Sequence, residues 1–266
     1  MKSAVKAATS SLFSVLFPSD CRICQLPLAN ISLLPVCESC LEKIAPIDGM
    51  LCRICGEKLF SNYLQDESGP LCGLCRHVQP EFQRAVSYGA YDGELRELIH
   101  LFKYNSVKPA GTVLARLLAQ TVAQLTLPES LVLIPVPLWS GKRKTRGFNQ
   151  AEAIARAFLR SESRKSIQLD TATLVRTRET ASQTGLTRKQ RRANVRGAFA
   201  VAAPERIRDC SVLLIDDVMT TGTTVNECAR VLRRAGAKEV FVATVARATK
   251  EVGSAMAMVA GAHGGN

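Results

Sequence analysis

Val212-Leu213-Leu214-Ile215 is an unbroken apolar run that stops at two adjacent carboxylates, Asp216 and Asp217. A run that short, without alternation, predicts a strand buried on both faces, the pattern of a parallel sheet. Further strands are predicted at 85–91, 131–136, 171–176, 197–201 and 239–246, with this one at 211–216. Between them, apolar residues recur at helical spacing over 93–104, 109–125, 149–160 and 224–235, the last closing at Gly236. Strands alternating with helices predict an α/β domain over 79–250, a mostly parallel sheet flanked by helices. Ligands of such sheets bind outside the carboxyl ends of the strands.

Upstream of Gln79 the periodicity vanishes and cysteines replace it. Eight of the ten fall into four Cys-x-x-Cys pairs: Cys21/Cys24, Cys37/Cys40, Cys52/Cys55 and Cys72/Cys75. A two-residue gap lets both thiolates of a pair reach one tetrahedral ion at Zn–S distances of about 2.3 Å. Sixteen residues separate the last two pairs, as in a zinc ribbon, and twelve the first two. Two structural four-cysteine Zn²⁺ sites over 21–78 are expected. Sequential pairing is the preferred arrangement, with an interleaved one open. Gly56 and Gly73 fit the turns of such knuckles, and Cys210 and Cys228, beside apolar residues, read as core thiols. A disulfide framework is disfavoured because no cleavable leader is evident, and a single redox pair would leave six cysteines without a role.

The turn after the two acids, Val218-Met219-Thr220-Thr221-Gly222-Thr223-Thr224, leads directly into a predicted helix. Strand, glycine-containing turn and helix N-terminus in that order make an anion site, with backbone N–H groups and the positive end of the helix dipole facing the ligand. No lysine stands beside the threonines, so this is not a Walker A loop. Two acids ahead of a phosphate cradle suit a ligand carrying both a phosphate and vicinal hydroxyls.

Composition narrows the class. At 266 residues the chain is long enough for two domains, and 47% hydrophobic with 5% aromatic content suits an aliphatic α/β protein. The net charge of +12 is concentrated: residues 141–196 carry 15 Lys and Arg against 4 Asp and Glu. Such an excess predicts polyanionic ligands. No apolar run approaches the ~20 residues of a membrane span. Residues 1–20 read as a short amphipathic helix on the zinc module, with contact at the inner membrane face as an alternative, and 251–266 as a disordered tail.

The acid–threonine run resembles the phosphoribosyl-pyrophosphate (PRPP) signature of type I phosphoribosyltransferases. That resemblance implies ribose hydroxyls on Asp216 and Asp217 and the 5′-phosphate on Val218 to Thr224. The Pro135-Val136-Pro137 tip with Gly141-Lys142-Arg143-Lys144-Thr145-Arg146 takes the place of the pyrophosphate loop, giving Val136, Pro137, Lys142, Arg143 and Arg146. Arg176 to Arg178, Ser182-Gln183-Thr184-Gly185-Leu186 and 187–196 take that of the catalytic loop, so Arg146, Arg178 and Arg188 are candidate stabilisers of leaving-group charge. Mg²⁺ would accompany PRPP. Lys103 and His100 approach from one helix, His100 reading rather as a structural histidine.

The cysteine pairs, Tyr91-x-Gly93-x-x-Arg96-x-Leu98-Ile99-x-x-Phe102-Lys103-Tyr104, Arg146-Gly147-Phe148-Asn149-Gln150-Ala151-Glu152 and the acid–threonine loop occur together in the order of the competence protein F family. The resemblance implies a bacterial cytoplasmic protein, a double zinc ribbon fused to a type I phosphoribosyltransferase fold, handling single-stranded DNA beside a DNA-translocating helicase or other uptake protein. It leaves the acceptor base unspecified. Two other readings stay open: a nucleic-acid-binding adaptor, and a PRPP-sensing regulator without turnover. Base stacking suits the adaptor poorly, since only Phe148, Phe158 and Phe199 stand in or beside the basic window.

Overall fold

The strands in chain order are β1 (Arg84–Ala90), β2 (Leu131–Pro135), β3 (Ile167–Leu169), β4 (Leu174–Arg176), β5 (Phe199–Val201), β6 (Ser211–Met219) and β7 (Glu239–Arg247). The helices are α1 (Glu38–Glu42), α2 (Gly73–His77), α3 (Gly93–Tyr104), α4 (Ala110–Val122), α5 (Ser140–Arg146), α6 (Gln150–Ser161), α7 (Arg188–Val195) and α8 (Thr223–Arg234). They come from a computed structural model that describes residues 20–28, 32–59, 69–105, 107–162, 166–181 and 187–248, without the Arg188 side chain. The expected N-terminal helix, the Ser182–Leu186 run and the C-terminal tail lie outside the described residues.

Five strands form one parallel sheet in the order β1-β7-β6-β2-β3, and β4 and β5 make a separate antiparallel pair. Central β6 is paired on both sides, to β2 and β7. Val212, Leu213, Leu214 and Ile215 are all fully buried, and alternation divides them between two cores. Leu213 and Ile215 pack with Leu98, Phe102, Leu114 and Phe158 of α3, α4 and α6. Val212 and Leu214 pack with Val195, Phe199, Cys228 and Leu232 from α7, β5 and α8.

The two cysteine modules repeat one design. Cys21 N–H donates to Leu26 O and Arg22 N–H to Pro35 O; Cys52 N–H donates to Glu57 O and Arg53 N–H to Pro70 O. The bridges Asp20–Pro27 and Leu51–Lys58 repeat the same hairpin, and one short helix, α1 or α2, follows the third cysteine of each. The modules dock on different faces of the sheet. Cys21, Val36, Cys40 and Ile44 join the first core, and Cys52, Cys55, Cys72 and Cys75 the second. Ala85 N–H of β1 donates to Ile54 O at 2.7 Å, tying the second module to the sheet edge.

Four local features differ from the sequence reading. β6 continues through both acids to Met219, because Val218 and Met219 keep pairing with Ala246 and Arg247. α5 and α7 are helices where basic loops were expected. α5 has no apolar stripe; its good helix formers are Lys142, Arg143, Lys144 and Arg146, and it ends at Gly147 in the left-handed conformation. α7 is closed by a capping box between Thr187 and Gln190. The strand expected over 171–176 starts only at Leu174, because the Asp170 carboxylate holds the N–H groups of Ala172 and Thr173 in a turn. Three-residue β3 was too short to be read from the sequence. Cys228 is fully buried, whereas Cys210 is only half-buried.

The two knuckle glycines are not equivalent. Gly56 has φ +70°, and a Cβ there would stand 3.1 Å from the Ala85 carbonyl oxygen; Gly73 begins α2 with nothing within 4 Å. Gly56→Ala is expected to lower stability by about 1–3 kcal/mol and Gly73→Ala to stay within about 1 kcal/mol of the parent. Thermal melting of the zinc-loaded proteins checks this; equal melting temperatures would refute the docking role given to Gly56.

Candidate functional site

At the carboxyl ends of β2 and β6 lies a cleft of about 310 Å³. Its walls are Val136, Pro137 and Leu138 after β2, Asn149 to Ala151 at the start of α6, and Asp216 to Thr220 with Gly222 to Val225 from the β6–α8 turn. Tyr91, Lys103, Arg146 and Arg176 reach in from neighbouring elements. Asn149 braces the wall: its Oδ1 caps α6 through the Ala151 N–H at 3.1 Å, and its Nδ2 donates to Val136 O at 3.0 Å.

The two acids have different surroundings. Lys103 Nζ, on α3, is 2.9 Å from Asp217 Oδ2, and both side chains are nearly buried. Burial opposes the charge on Lys103, but Asp217 and then Asp216 outweigh it and hold the ammonium above its ordinary pKa. Burial, followed by the charge of Asp217, pushes the Asp216 carboxyl up to about 7. Lys103 and Arg176 only partly counter that. Asp216 Oδ1 also accepts the Asp217 N–H at 2.9 Å.

The turn leaves the start of α8 open. Gly222 is its N-cap, at φ +73°, and supplies no side-chain acceptor to the first-turn N–H groups. A Cβ there would stand 3.0 Å from Met219 Cε, so glycine keeps the turn tight. Thr221 and Thr223 hydroxyls bond each other at 2.6 Å. First-turn amides that the N-cap residue does not cap, the helix dipole and hydroxyls together form an anion cradle.

Not every basic residue expected here is present. Val136, Pro137 and Arg146 line the cleft, as do Val218, Met219, Thr220, Gly222, Thr223 and Thr224. Thr221 faces a second cavity instead. Lys142 and Arg143, on α5, are outside the lining; Arg143 is 4.0 Å from Glu152. Arg178 is also outside. Its guanidinium donates to the backbone oxygens of Glu179, Asn194 and Arg196, clamping α7 onto the β4 end. Arg176 stands in the cleft instead, with its Nε buried and unpartnered among the described residues, Thr180 on its Nη2 and the Phe199 ring 5.4 Å away. Strand parity could have shown this, since Leu174 and Arg176 share a face. Lys103 lines the cleft; His100 bonds the Tyr91 hydroxyl at 3.0 Å and is absent from the lining. Arg146 donates to Tyr104 and Gln150 and lies over the Tyr104 ring at 4.9 Å. Phe158 and Phe199 are core residues, and Phe148 packs edge-on against Phe102, so none offers a stacking platform.

The eight paired cysteines form two clusters, Cys21/Cys24/Cys37/Cys40 and Cys52/Cys55/Cys72/Cys75, with sulfurs within 4.8 Å of one another. The pairing is therefore sequential. Sγ–Sγ separations of 3.6 Å (Cys24–Cys37 and Cys55–Cys72) and 3.9 Å (Cys21–Cys40) suit the edges of a ZnS₄ tetrahedron, about 3.8 Å at ordinary Zn–S lengths. Backbone N–H groups of Ile23 and Cys37 point at Cys21 Sγ, and that of Cys75 at Cys72 Sγ, as thiolate ligands require. The donor set fits closed, structural zinc.

A parallel sheet whose central strand delivers paired acids into an open helix start, joined to a duplicated four-thiolate module, defines a phosphoribosyltransferase-type domain with a double zinc ribbon. Residues 143–255 match the phosphoribosyl transferase domain family and residues 12–76 the double zinc ribbon domain family. The chain is 34% identical over 231 residues to DNA utilization protein YhgH of Escherichia coli O157:H7, covering 85% of this chain and 95% of that protein. It is 34% identical over 224 residues to competence protein F of Haemophilus influenzae, covering 80% and 90%, and 23% identical over 207 residues to competence protein ComFC of Bacillus subtilis, covering 76% and 79%. A Staphylococcus aureus hypoxanthine phosphoribosyltransferase structure superposes over 55% of this chain and 69% of that one, at 11% identity and a TM-score of 0.34. The chain belongs to the competence protein F family.

The Asp216 carboxyl gives the site a pH signature. Between an unfolded value of about 3.9 and about 7 in the native state, the folded protein holds a proton that the unfolded chain has released. Its contribution is therefore fully present below the lower value, falls as pH rises through that window and is flat above it. Asp216→Asn is expected to match the ligand-free parent at pH 4 and to be more stable at pH 8. Urea titrations at the two pH values check this, and an equal difference at both would refute the raised carboxyl.

Proposed function

We propose that the cleft binds PRPP with Mg²⁺ and that the protein acts as a phosphoribosyltransferase-type component of single-stranded DNA uptake or utilisation. The observation carrying the first half is the open start of α8 directly after two acids on one strand. Asp216 and Asp217 take the ribose 2′- and 3′-hydroxyls, and the turn from Val218 to Thr224 takes the 5′-phosphate. Val136, Pro137 and Arg146 take the pyrophosphate, with Arg176 added to the set. Arg188, at the start of α7, keeps its assignment to the catalytic loop from the sequence alone.

The chemistry requires no protein nucleophile. As pyrophosphate departs, positive charge grows at the ribosyl carbon and negative charge on the leaving oxygens. The cleft residues orient the sugar and stabilise that leaving charge. Mg²⁺, a hard cation held largely by ligand oxygens and water, would neutralise part of the pyrophosphate charge.

The DNA half rests on the relatives' names, DNA utilization protein and competence protein F, and on the basic window over 141–196. We assign the protein to the bacterial cytoplasm, where a reducing environment keeps zinc thiolates intact, with a DNA-translocating helicase or other uptake protein as its partner. No described helix is long and apolar enough to cross a membrane.

Calorimetric titration of PRPP with Mg²⁺ into the zinc-loaded protein, beside an Asp216→Ala/Asp217→Ala variant, tests the first half. Micromolar binding by the parent and at least a hundredfold loss in the variant are expected; no binding by either sinks the PRPP reading. Pyrophosphate release is then measured across nucleobases, nucleotides and DNA. Binding without release from any of them would make the protein a PRPP sensor and refute turnover.

A further inference from the structure

The β6–α8 turn separates the cleft from a second and larger cavity, of about 530 Å³. Met219, Gly222 and Thr223 line both, while Thr221 faces only the second. The far wall is the second zinc module, through Cys55, Leu74, Cys75 and Val78, followed by Gln79 to Phe82. The PRPP reading touches this space only through the shared turn, Met219 and Thr221 to Thr223.

Its charge is unusual. Arg192, Arg196, Arg230, Arg234 and Arg247 line it, against Glu81 and Glu227, and no lysine is among the lining residues. Glu227 is already engaged: its carboxylate takes a two-pronged contact from Arg230 at 2.7 and 2.8 Å, and the Gly197 N–H at 2.7 Å. Arg192, Arg196 and Arg234 are exposed, and none forms an ion pair among the described residues. Three exposed guanidinium groups therefore stand at one mouth without an ion pair among the described residues, Arg196 feeling the charge of the already engaged Glu227.

Arg247 is the second observation. It is only 3% exposed, and its Nε and Nη1 have no hydrogen-bond partner among the described residues. Its Nη2 lies 3.7 Å from Cys55 Sγ and 3.8 Å from Glu57 Oε2, so it offsets part of the thiolate charge of the zinc centre. That leaves a permanently charged, buried guanidinium in the cavity wall with two donors unpartnered among the described residues, and its positive charge favours an anion beside it.

The chemistry of the lining selects the ligand. Arginine's planar fork matches phosphate in two-pronged contacts, which a lysine point charge does not. Phe82, the one aromatic residue among the described lining residues, is buried, so no aromatic ring offers a base a stacking face. Leu74, Val78 and Met219 offer apolar surface for a sugar or a base edge. The volume is in the range of small-molecule sites and suits a nucleotide.

We propose that this cavity is a second anion site that takes the phosphate of a nucleotide, free or as part of single-stranded DNA, without reading the base. The site lies on the other side of the shared β6–α8 turn from the first cleft, and it gives the DNA role a place on the molecule.

The test uses the full zinc-loaded protein and a fluorescein-labelled oligodeoxythymidine with a 5′-phosphate, read by anisotropy over a range of salt. Unlabelled dTMP and inorganic pyrophosphate serve as competitors. Arg196→Glu/Arg234→Glu changes only exposed side chains; unchanged zinc content and PRPP affinity confirm that it is folded. The expected result is at least tenfold weaker oligonucleotide binding, with a salt slope shallower by roughly 1.4 for two lost contacts. Arg247→Gln, checked for zinc content in the same way, should weaken binding further.

Competition by dTMP identifies a free nucleotide as sufficient, and oligonucleotide binding that dTMP does not displace identifies the phosphodiester strand. Pyrophosphate that displaces the probe as well as dTMP shows that the phosphate alone is read, in line with the absent stacking platform. Parent and variant binding oligonucleotide and dTMP equally overturns the cavity while leaving a DNA role elsewhere on the surface. A parent that binds neither overturns the cavity and the DNA role together, and leaves the PRPP titration untouched.

Discussion

β6 is paired on both edges and packed on both faces, yet its second half carries two carboxylates. The arrangement of the site follows from that constraint. A pair of acids at the end of a buried strand is stable only if neighbouring elements bring counter-charge to it. α3 supplies Lys103, which is why a helix before β2 in sequence ends beside a loop more than a hundred residues later. β4 supplies Arg176, whose buried guanidinium lies on the Phe199 ring beside the second core. Breaking the Lys103–Asp217 pair from one side would cost about 3–5 kcal/mol, the usual penalty for stranding a buried charge. The helices and the short hairpin therefore position the charges as well as covering apolar faces.

The zinc modules solve a related problem at the sheet's margins. Each is too small to fold on its own apolar residues, and tetrahedral thiolate coordination replaces the missing core. Duplication produced two similar units, but the sheet has two different faces, and each unit joined one. The consequences differ. The first unit packs against β1 and α3, the element that carries Lys103. The second stands next to Arg247, the residue paired in register with Met219 at the turn. Both metal centres thus sit within one packing layer of groups that shape the cleft, although closed four-thiolate coordination gives neither a chemical role in it.

What could be read from the sequence follows from where the physics is local. The fully apolar strands, the helix over 93–104 and the cysteine spacing each depend on residues adjacent in the chain and stand where expected, while the acid–threonine turn begins only after Met219. The basic residues depend on which way a short element turns. Lys142 and Arg143 were expected in the cleft because 141–146 read as a loop, but those residues form a helix that leaves both outside the cleft lining. Arg178 and Arg176 differ by two positions in the chain and by an entire role: one clamps backbone carbonyls, the other enters the site. The Thr187-x-x-Gln190 capping signal was present and would have turned a presumed loop into α7. Arg247 had no local signal, because its importance comes from a cysteine nearly two hundred residues away.

The cleft brings together groups whose demands the protein itself does not meet. An Asp216 carboxyl with its pKa near 7, a helix start without a side-chain cap and an Arg176 Nε without a partner among the described residues stand in one lining. These groups carry opposite demands: the carboxylate asks for hydroxyl donors or a cation, whereas the amides and guanidinium ask for anionic oxygens. A simple phosphate would answer only the second demand, and a free sugar only the first. A sugar phosphate answers both in one molecule, and that is the physical ground for the ligand proposed above.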